Sequence, residues 1–197
     1  MCKEKIYRKK FLDIEITILK PWEDSFIRES YFGGGATDVY KAVVKLLYYL
    51  DVNSLYPASM LNDMPLNLIE RILDPERLKL IDLDEFFGFV KVVVKCPKSV
   101  KRPMLPTNFN GKTIYPTGEW IGTYFSEELK AVSKLNLNIR YTFYIIEAHS
   151  YSRVKLFNSF VVHFFAIKKD AKGVARFLAK LCLNSLYGMF YSSKGES

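Results

Sequence analysis

Three residues near the end of the chain are spaced for joint chemistry. Lys180, Asn184 and Tyr187 stand at i, i+4 and i+7, and at 100° per residue a helix puts all three on one face. An ammonium, an amide and a phenol ring there can hold a phosphate, a base edge and a stacked ring. The same spacing also suits a solvated polar stripe with a core tyrosine. Asp51 ends an apolar run that begins at Val43, and Asn53, Ser54 and Pro57 follow it. A carboxylate at the end of a strand can ligate a cation or cap a turn. A third feature is Tyr31-Phe32-Gly33-Gly34-Gly35-Ala36, a glycine-rich turn whose main chain can approach a ligand closely.

These residues need elements to position them. The Val, Leu and Tyr content from Val43 to Asp51 predicts a buried strand. From Val154 the apolar residues Leu156, Phe160, Val161, Phe164 and Phe165 recur at three and four. After an interruption from Lys168 to Gly173, the pattern resumes over Val174–Met189 with Phe177, Leu178, Leu181 and Leu186. Two helices joined by a short charged link are expected, with Lys168 in the link. Between strand and hairpin, Pro65–Leu80 reads as irregular and then helical. Phe86–Lys95 favours a strand by its Val and aromatic content. Pro97, Pro103, Pro106, Gly111, Pro116 and Gly118 mark a loop-rich stretch. Ser126-Glu127-Glu128 opens a helix with Leu129, Val132 and Leu135 at helical spacing, and Arg140–Ala148 predicts another strand. Residues 1–30 read as a tail or incoming linker.

Composition narrows the function classes. Apolar residues are 49% and charged residues 25% of 197, the balance of a folded globular chain. The 29 basic and 21 acidic residues leave +8, and 15% of the chain is aromatic; cations among flat rings suit nucleic acid. The longest stretch free of Asp, Glu, Lys and Arg runs only from Leu181 to Ser193 and contains Asn184 and Ser185. A membrane span needs about 20 apolar residues, so none is expected. Met1–Lys10 is basic with no apolar segment behind it, which is not a secretory signal, and no transit peptide is evident. Cys2, Cys96 and Cys182 form no CxxC pair, so neither a disulfide framework nor a zinc site is expected.

Longer strings carry a family resemblance. Lys180-Leu181-Cys182-Leu183-Asn184-Ser185-Leu186-Tyr187-Gly188 resembles K-x3-N-S-x-Y-G, motif B of family B DNA polymerases. Asp51-Val52-Asn53-Ser54-Leu55-Tyr56-Pro57 resembles their motif A, D-x2-S-L-Y-P, and Tyr31-Phe32-Gly33-Gly34 their Y-x-G-G element. The three occur in the family's order. Motifs A and B each fix five residues, so a chance match at a given start is on the order of one in a few million. The phrasing of Phe86–Val90, Gly111–Gly118 and Tyr124–Leu129 resembles the protein-primed branch, the mitochondrial linear-plasmid enzymes in particular.

The resemblance implies an α+β fold: part of a polymerase palm with a mixed β-sheet, an inserted terminal-protein region, and a two-helix fingers hairpin. Residues 1–30 would be linker, 31–62 palm, 63–150 insertion and 151–197 fingers. It implies two-metal nucleotidyl transfer with magnesium or manganese. Asp51 would be a metal-bridging catalytic carboxylate and the Val52 carbonyl a further ligand. The amides of Ser54 and Leu55, with Lys168 and Lys180, would hold the triphosphate. Tyr56 would lie under the sugar, and Asn184 and Tyr187 at the nascent base pair. Ser185, Gly188, Tyr31, Gly33 and Gly34 would touch DNA. The implied partners are primer-template DNA, deoxynucleoside triphosphates and a terminal priming protein; the implied location is the mitochondrion.

The sequence also departs from the family. No D-T-D string of motif C occurs among the 197 residues, and Asp13-Ile14-Glu15 is a coincidental D-x-E in the linker region. Gly35 and Ala36 follow Gly34 where the plasmid enzymes tend to carry a basic residue. One carboxylate cannot hold two metal ions in catalytic geometry. The expectation is therefore a polymerase fragment inactive on its own. The alternative is a non-catalytic module, left from a plasmid polymerase gene, that binds nucleic acid or a priming protein.

Overall fold

The structure, a computed structural model, describes residues 10–11, 14, 16, 18–32, 48, 52, 54–134 and 141–192, with 187–192 as backbone only. Two compact units emerge: residues 1–16, 46–64 and 153–197 form one, and residues 17–45 and 65–152 the other.

The second unit is built on a four-stranded sheet in the order β1-β6-β2-β5. Its strands are β1 (Met64–Ile72), β2 (Gly88–Cys96), β5 (Gly118–Phe125) and β6 (Thr142–Val154). A separate hairpin pairs β3 (Thr107–Phe109) with β4 (Lys112–Ile114). β2 runs antiparallel to both β5 and β6. Strand alternation sends Val90, Val92 and Val94 to one face, and all three are completely buried. There they meet Leu78, Leu105, Tyr124, Leu129, Val132 and Ala148. Two short helices, α3 (Pro75–Lys79) and α4 (Ser126–Lys134), supply Leu78 and Leu129 with Val132. The Tyr124 hydroxyl accepts from Trp120 Nε1 at 2.8 Å and donates to the Pro106 carbonyl at 2.7 Å. That ties the loop-rich stretch to the core.

The opposite face is covered at one end by α1 (Pro21–Glu29). Pro21 starts it at the first helical position, where no intrahelical N–H is required. Phe26 packs with Phe87, Phe89 and Tyr151. Polar ties fix the helix as well: Tyr151 donates to Glu23 at 2.8 Å, and Glu29 accepts from Thr123 at 2.8 Å and Lys91 at 3.0 Å. Burial on both faces at this end explains why β2 reads as a nearly continuous apolar run. Residues 21–29, read from sequence as linker, are thus a docked helix.

Other differences have physical causes. Pro65–Ile72 is a strand, not irregular: β1 lies at the sheet edge, where proline near the start is tolerated and one face stays polar. Arg71 pairs with Glu147 across the sheet at 2.7 Å. β6 runs on to Val154, six residues past the expected end. The Val43–Asp51 strand lies outside the described residues except Tyr48, which is exposed. Among the described residues, no helix is long and apolar enough to cross a membrane.

His149 is fully buried on β6, stacked on Phe26 with ring centroids 3.8 Å apart and edge-on to Trp22 at 5.6 Å. Its Nε2 lies 2.9 Å from Glu147 Oε1, and its Nδ1 has no partner. Burial lowers its pKa below the usual 6.5 and outweighs the pull of Glu147. Arg71 also pairs with Glu147 and disfavours a charge on the ring, while Glu23 of α1 favours one. Protonation would place a second N–H among rings with no acceptor. The unfolded chain takes up that proton more readily, so the stability His149 contributes is full above about pH 6.5 and lost as pH falls. In thermal melts the midpoint of His149→Gln is expected to fall less, or rise more, than the parent's from pH 6.5 to 5.0; Glu128, which burial pushes up to about 7, acts in the opposite sense in both chains.

Candidate functional site

The first unit gathers the chemistry-bearing residues. Ser54 has φ 58° and ψ 39°, a left-handed turn that feeds α2 (Leu55–Ser59). Pro57 sits in the first turn of α2, where a missing N–H breaks no helical bond. Met60, at the end of α2, is buried with Phe160, Val161, Leu183 and Leu186. Lys155 holds the exit, donating to the Leu61 carbonyl at 3.0 Å and pairing with Asp63 at 3.3 Å. The apolar contacts belong to the helices α5 (Asn158–Asp170) and α6 (Gly173–Ser192). The predicted hairpin is present with a correction: its link is only Ala171–Lys172, and Lys168 lies in the last turn of α5. A cation there faces the helix's unpaired carbonyls, a favourable place for it.

Between α2 and the two helices opens a cleft of about 760 Å³. Val52, Ser54, Leu55, Tyr56 and Pro57 line one wall, and Lys168, Gly173, Arg176, Phe177, Lys180 and Asn184 the other. The Lys168 ammonium donates to the Ser54 hydroxyl at 2.8 Å and stands 5.7 Å from the Phe165 ring centre. Three cations face the cleft, and its described lining carries no carboxylate. A concave surface lined by one sign of charge focuses that potential and collects the opposite charge. The chemistry of this lining is that of a polyanion receptor with an aromatic and amide edge.

The cleft brings together Val52, Ser54, Leu55, Tyr56, Lys168, Lys180 and Asn184, seven of the residues singled out from sequence. Tyr56 is 59% exposed, which removes the core-packing role that a motif tyrosine could otherwise have. Ser185 is not in the lining; its hydroxyl donates back to the Leu181 carbonyl at 2.6 Å. Tyr31 belongs to the other unit, just after α1, and is 43% exposed. Asp51, Gly33 and Gly34 lie outside the described residues, and Tyr187 and Gly188 are described by their backbone alone, within α6. Among the described residues no group of three or more His, Cys, Asp or Glu could hold a metal ion. The described lining therefore fits an anion and by itself does not fit a metal.

Arg176 was not read from the sequence as a site residue, and Phe177 was read only as an apolar helix position. The signal was available: Arg176, Lys180 and Asn184 repeat every four residues, so they share the helix face. The motif begins at Lys180 and draws attention away from the turn before it.

The chain is similar to known proteins in sequence and in fold. The family described as DNA polymerase type B, organellar and viral, matches residues 3–193. A probable DNA polymerase of Podospora anserina is 35% identical over 188 residues, covering 94% of this chain and 15% of that protein. One from Neurospora intermedia is 33% identical over 197 residues, covering 94% and 20%. The chain thus spans a fifth or less of the length of these relatives. Among solved structures, Phi29 DNA polymerase in an orthorhombic crystal form has TM-score 0.64 at 24% identity, covering 96% of this chain and 34% of that one. The same polymerase complexed with primer-template DNA and incoming nucleotide gives TM-score 0.59 at 22% identity, covering 95% and 34%. At that identity the likeness is one of fold.

Proposed function

The chain belongs to the organellar and viral type B DNA polymerases, and from that premise we propose that its cationic cleft receives the triphosphate of an incoming deoxynucleotide. The observation that carries the reading is the convergence of Lys168, Arg176 and Lys180, from two helices, on the Ser54–Tyr56 turn. Arg176 and Lys180 stand one helical turn apart, or about 6 Å along the axis. That spacing lets them contact successive phosphates, while Lys168 reaches across from the end of α5. Tyr56 would sit beneath the sugar and disfavour a 2′-hydroxyl, and Asn184 would face the base-pair end. In this reading the nucleotide is presented to a primer-template DNA, and the reaction is protein-primed nucleotidyl transfer.

Asp51 with the Val52 carbonyl is the proposed hold for magnesium or manganese, which supply charge neutralisation to phosphoryl transfer. No D-T-D string supplies a second carboxylate among the 197 residues, so the chain alone is proposed to bind nucleotide without extending a primer. A terminal priming protein, the mitochondrion and a linear plasmid are part of the same proposal and rest on motif phrasing.

Two measurements on the purified chain test this. Saturable binding of dATP in an equilibrium titration is expected; its absence refutes the cleft assignment. Incubation with primed template, magnesium and four deoxynucleotides is expected to give no product; robust synthesis refutes the inactivity.

A further inference from the structure

Ser54 combines two unusual features. Its backbone is left-handed, a conformation that suits glycine better than any residue with a Cβ. Its hydroxyl also accepts a hydrogen bond from the Lys168 ammonium. Lysine carries a long flexible stem, and ordering it at the moment of binding costs affinity. In this cleft the ordering is already present, because the ammonium lies near the Phe165 ring and meets Ser54 Oγ at 2.8 Å.

We propose that the Ser54 side chain is a positioning residue that parks Lys168 over the cleft before the polyphosphate arrives. The proposal rests on the reading of the cleft as a triphosphate site. It adds a task for the hydroxyl beyond the amide contacts of the same turn. A neutral acceptor suits that task. It holds the ammonium in place yet yields it to a phosphate oxygen, whose negative charge adds a coulombic attraction that a neutral hydroxyl lacks. A carboxylate at this position would compete with the ligand. Glycine would relax the backbone but leave Lys168 without its acceptor. A side chain kept in a costly conformation next to a ligand cleft is where a functional role is to be sought.

The test is equilibrium titration with dATP, with thermal melts alongside, on the full chain and five variants: Ser54→Ala, Ser54→Gly, Ser54→Asn, Lys168→Ala, and Ser54→Ala in the Lys168→Ala background. Ser54→Ala and Ser54→Gly are each expected to weaken dATP binding by about three- to tenfold. The glycine variant should melt no lower than the parent, which separates loss of the hydroxyl from backbone strain. Asparagine tolerates the left-handed turn and offers an amide oxygen, so Ser54→Asn should keep affinity within about twofold. With Lys168 already removed, Ser54→Ala should change affinity by less than about twofold. Equal losses with and without Lys168, or parental affinity in the glycine variant, overturn the proposal while leaving the triphosphate reading intact. No dATP binding by the unaltered chain overturns both, before any variant is compared.

Discussion

Gly88→Ala is expected to remove a large part of the stability of the sheet unit. Gly88 opens β2 with φ 152°, and a Cβ placed there would stand 2.0 Å from the His149 carbonyl oxygen and 3.1 Å from Ser150 Cα. Both are backbone atoms of β6, the strand that pairs with β2 through Gly88 and Ser150. No rotamer relieves the clash; the strands must separate. Separation would also break the hydrogen bond from the Gly88 amide to the buried Ser126 hydroxyl at 3.2 Å. The cost is expected to be about 4 kcal/mol or more, against a total domain stability of roughly 5–15 kcal/mol. Gly111→Ala is the control. Gly111 also has a positive φ, 74°, but open space surrounds its Cβ position, so the loss should be only about 1 kcal/mol from the backbone. Denaturant unfolding followed by far-UV circular dichroism reads both. A Gly88→Ala chain as stable as the parent would contradict the described packing of β2 against β6.

Removing the cations of α6 is the second large effect. Arg176 and Lys180 are exposed on the cleft wall, so their loss should leave folding within about 0.5 kcal/mol, as for other surface substitutions. Each contact to a phosphate is a charge-assisted bond worth about 1.5–3 kcal/mol. Arg176→Ala and Lys180→Ala are therefore each expected to weaken dATP binding by about ten- to a hundredfold. The pair should not be additive, because one polyphosphate joins them. Raising salt should weaken the parent more than either variant. Protection of the chain against heat by dATP gives an independent readout, since a ligand stabilises in proportion to the logarithm of its saturation. Unchanged affinity in both variants would remove the cleft as the nucleotide site.

How much of this was legible depends on the element. The hairpin was, because Phe160, Val161 and Leu186 recur at helical spacing and do form its core; on the second helix, though, the expected apolar positions Phe177, Leu178 and Leu181 are exposed and Leu183 is buried instead. β2 was, because its Val and Phe content outweighs Lys91 and Lys95, the two polar residues that interrupt it. β1 and β5 were not. Asn67, Glu70 and Arg71 make β1 look like a loop until its edge position explains them. Gly118 and Gly122 do the same in β5, where the Tyr124 ring lies across Gly122 in place of a side chain. Asn110-Gly111 is a strong two-residue hairpin signal, hidden among the prolines that mark that stretch as loop. α1 was unreadable because nothing local predicts that Phe26 will find Phe87 and Phe89 across more than fifty residues of chain. At the site, the motif letters identified Ser54, Tyr56, Lys168, Lys180 and Asn184. They gave no account of Arg176 or of the Ser54–Lys168 bond, which depend on how two helices meet a turn.

The docking of α1 decides where this sequence can be cut. A recombinant piece starting at Tyr31 would keep all six of the described strands and lose the cover over Phe87, Phe89 and Tyr151, turning a sealed surface into an oily one prone to self-association. A piece starting at Thr17 would keep that cover. Solubility of the sheet unit is thus set by a nine-residue helix that contributes no strand to it.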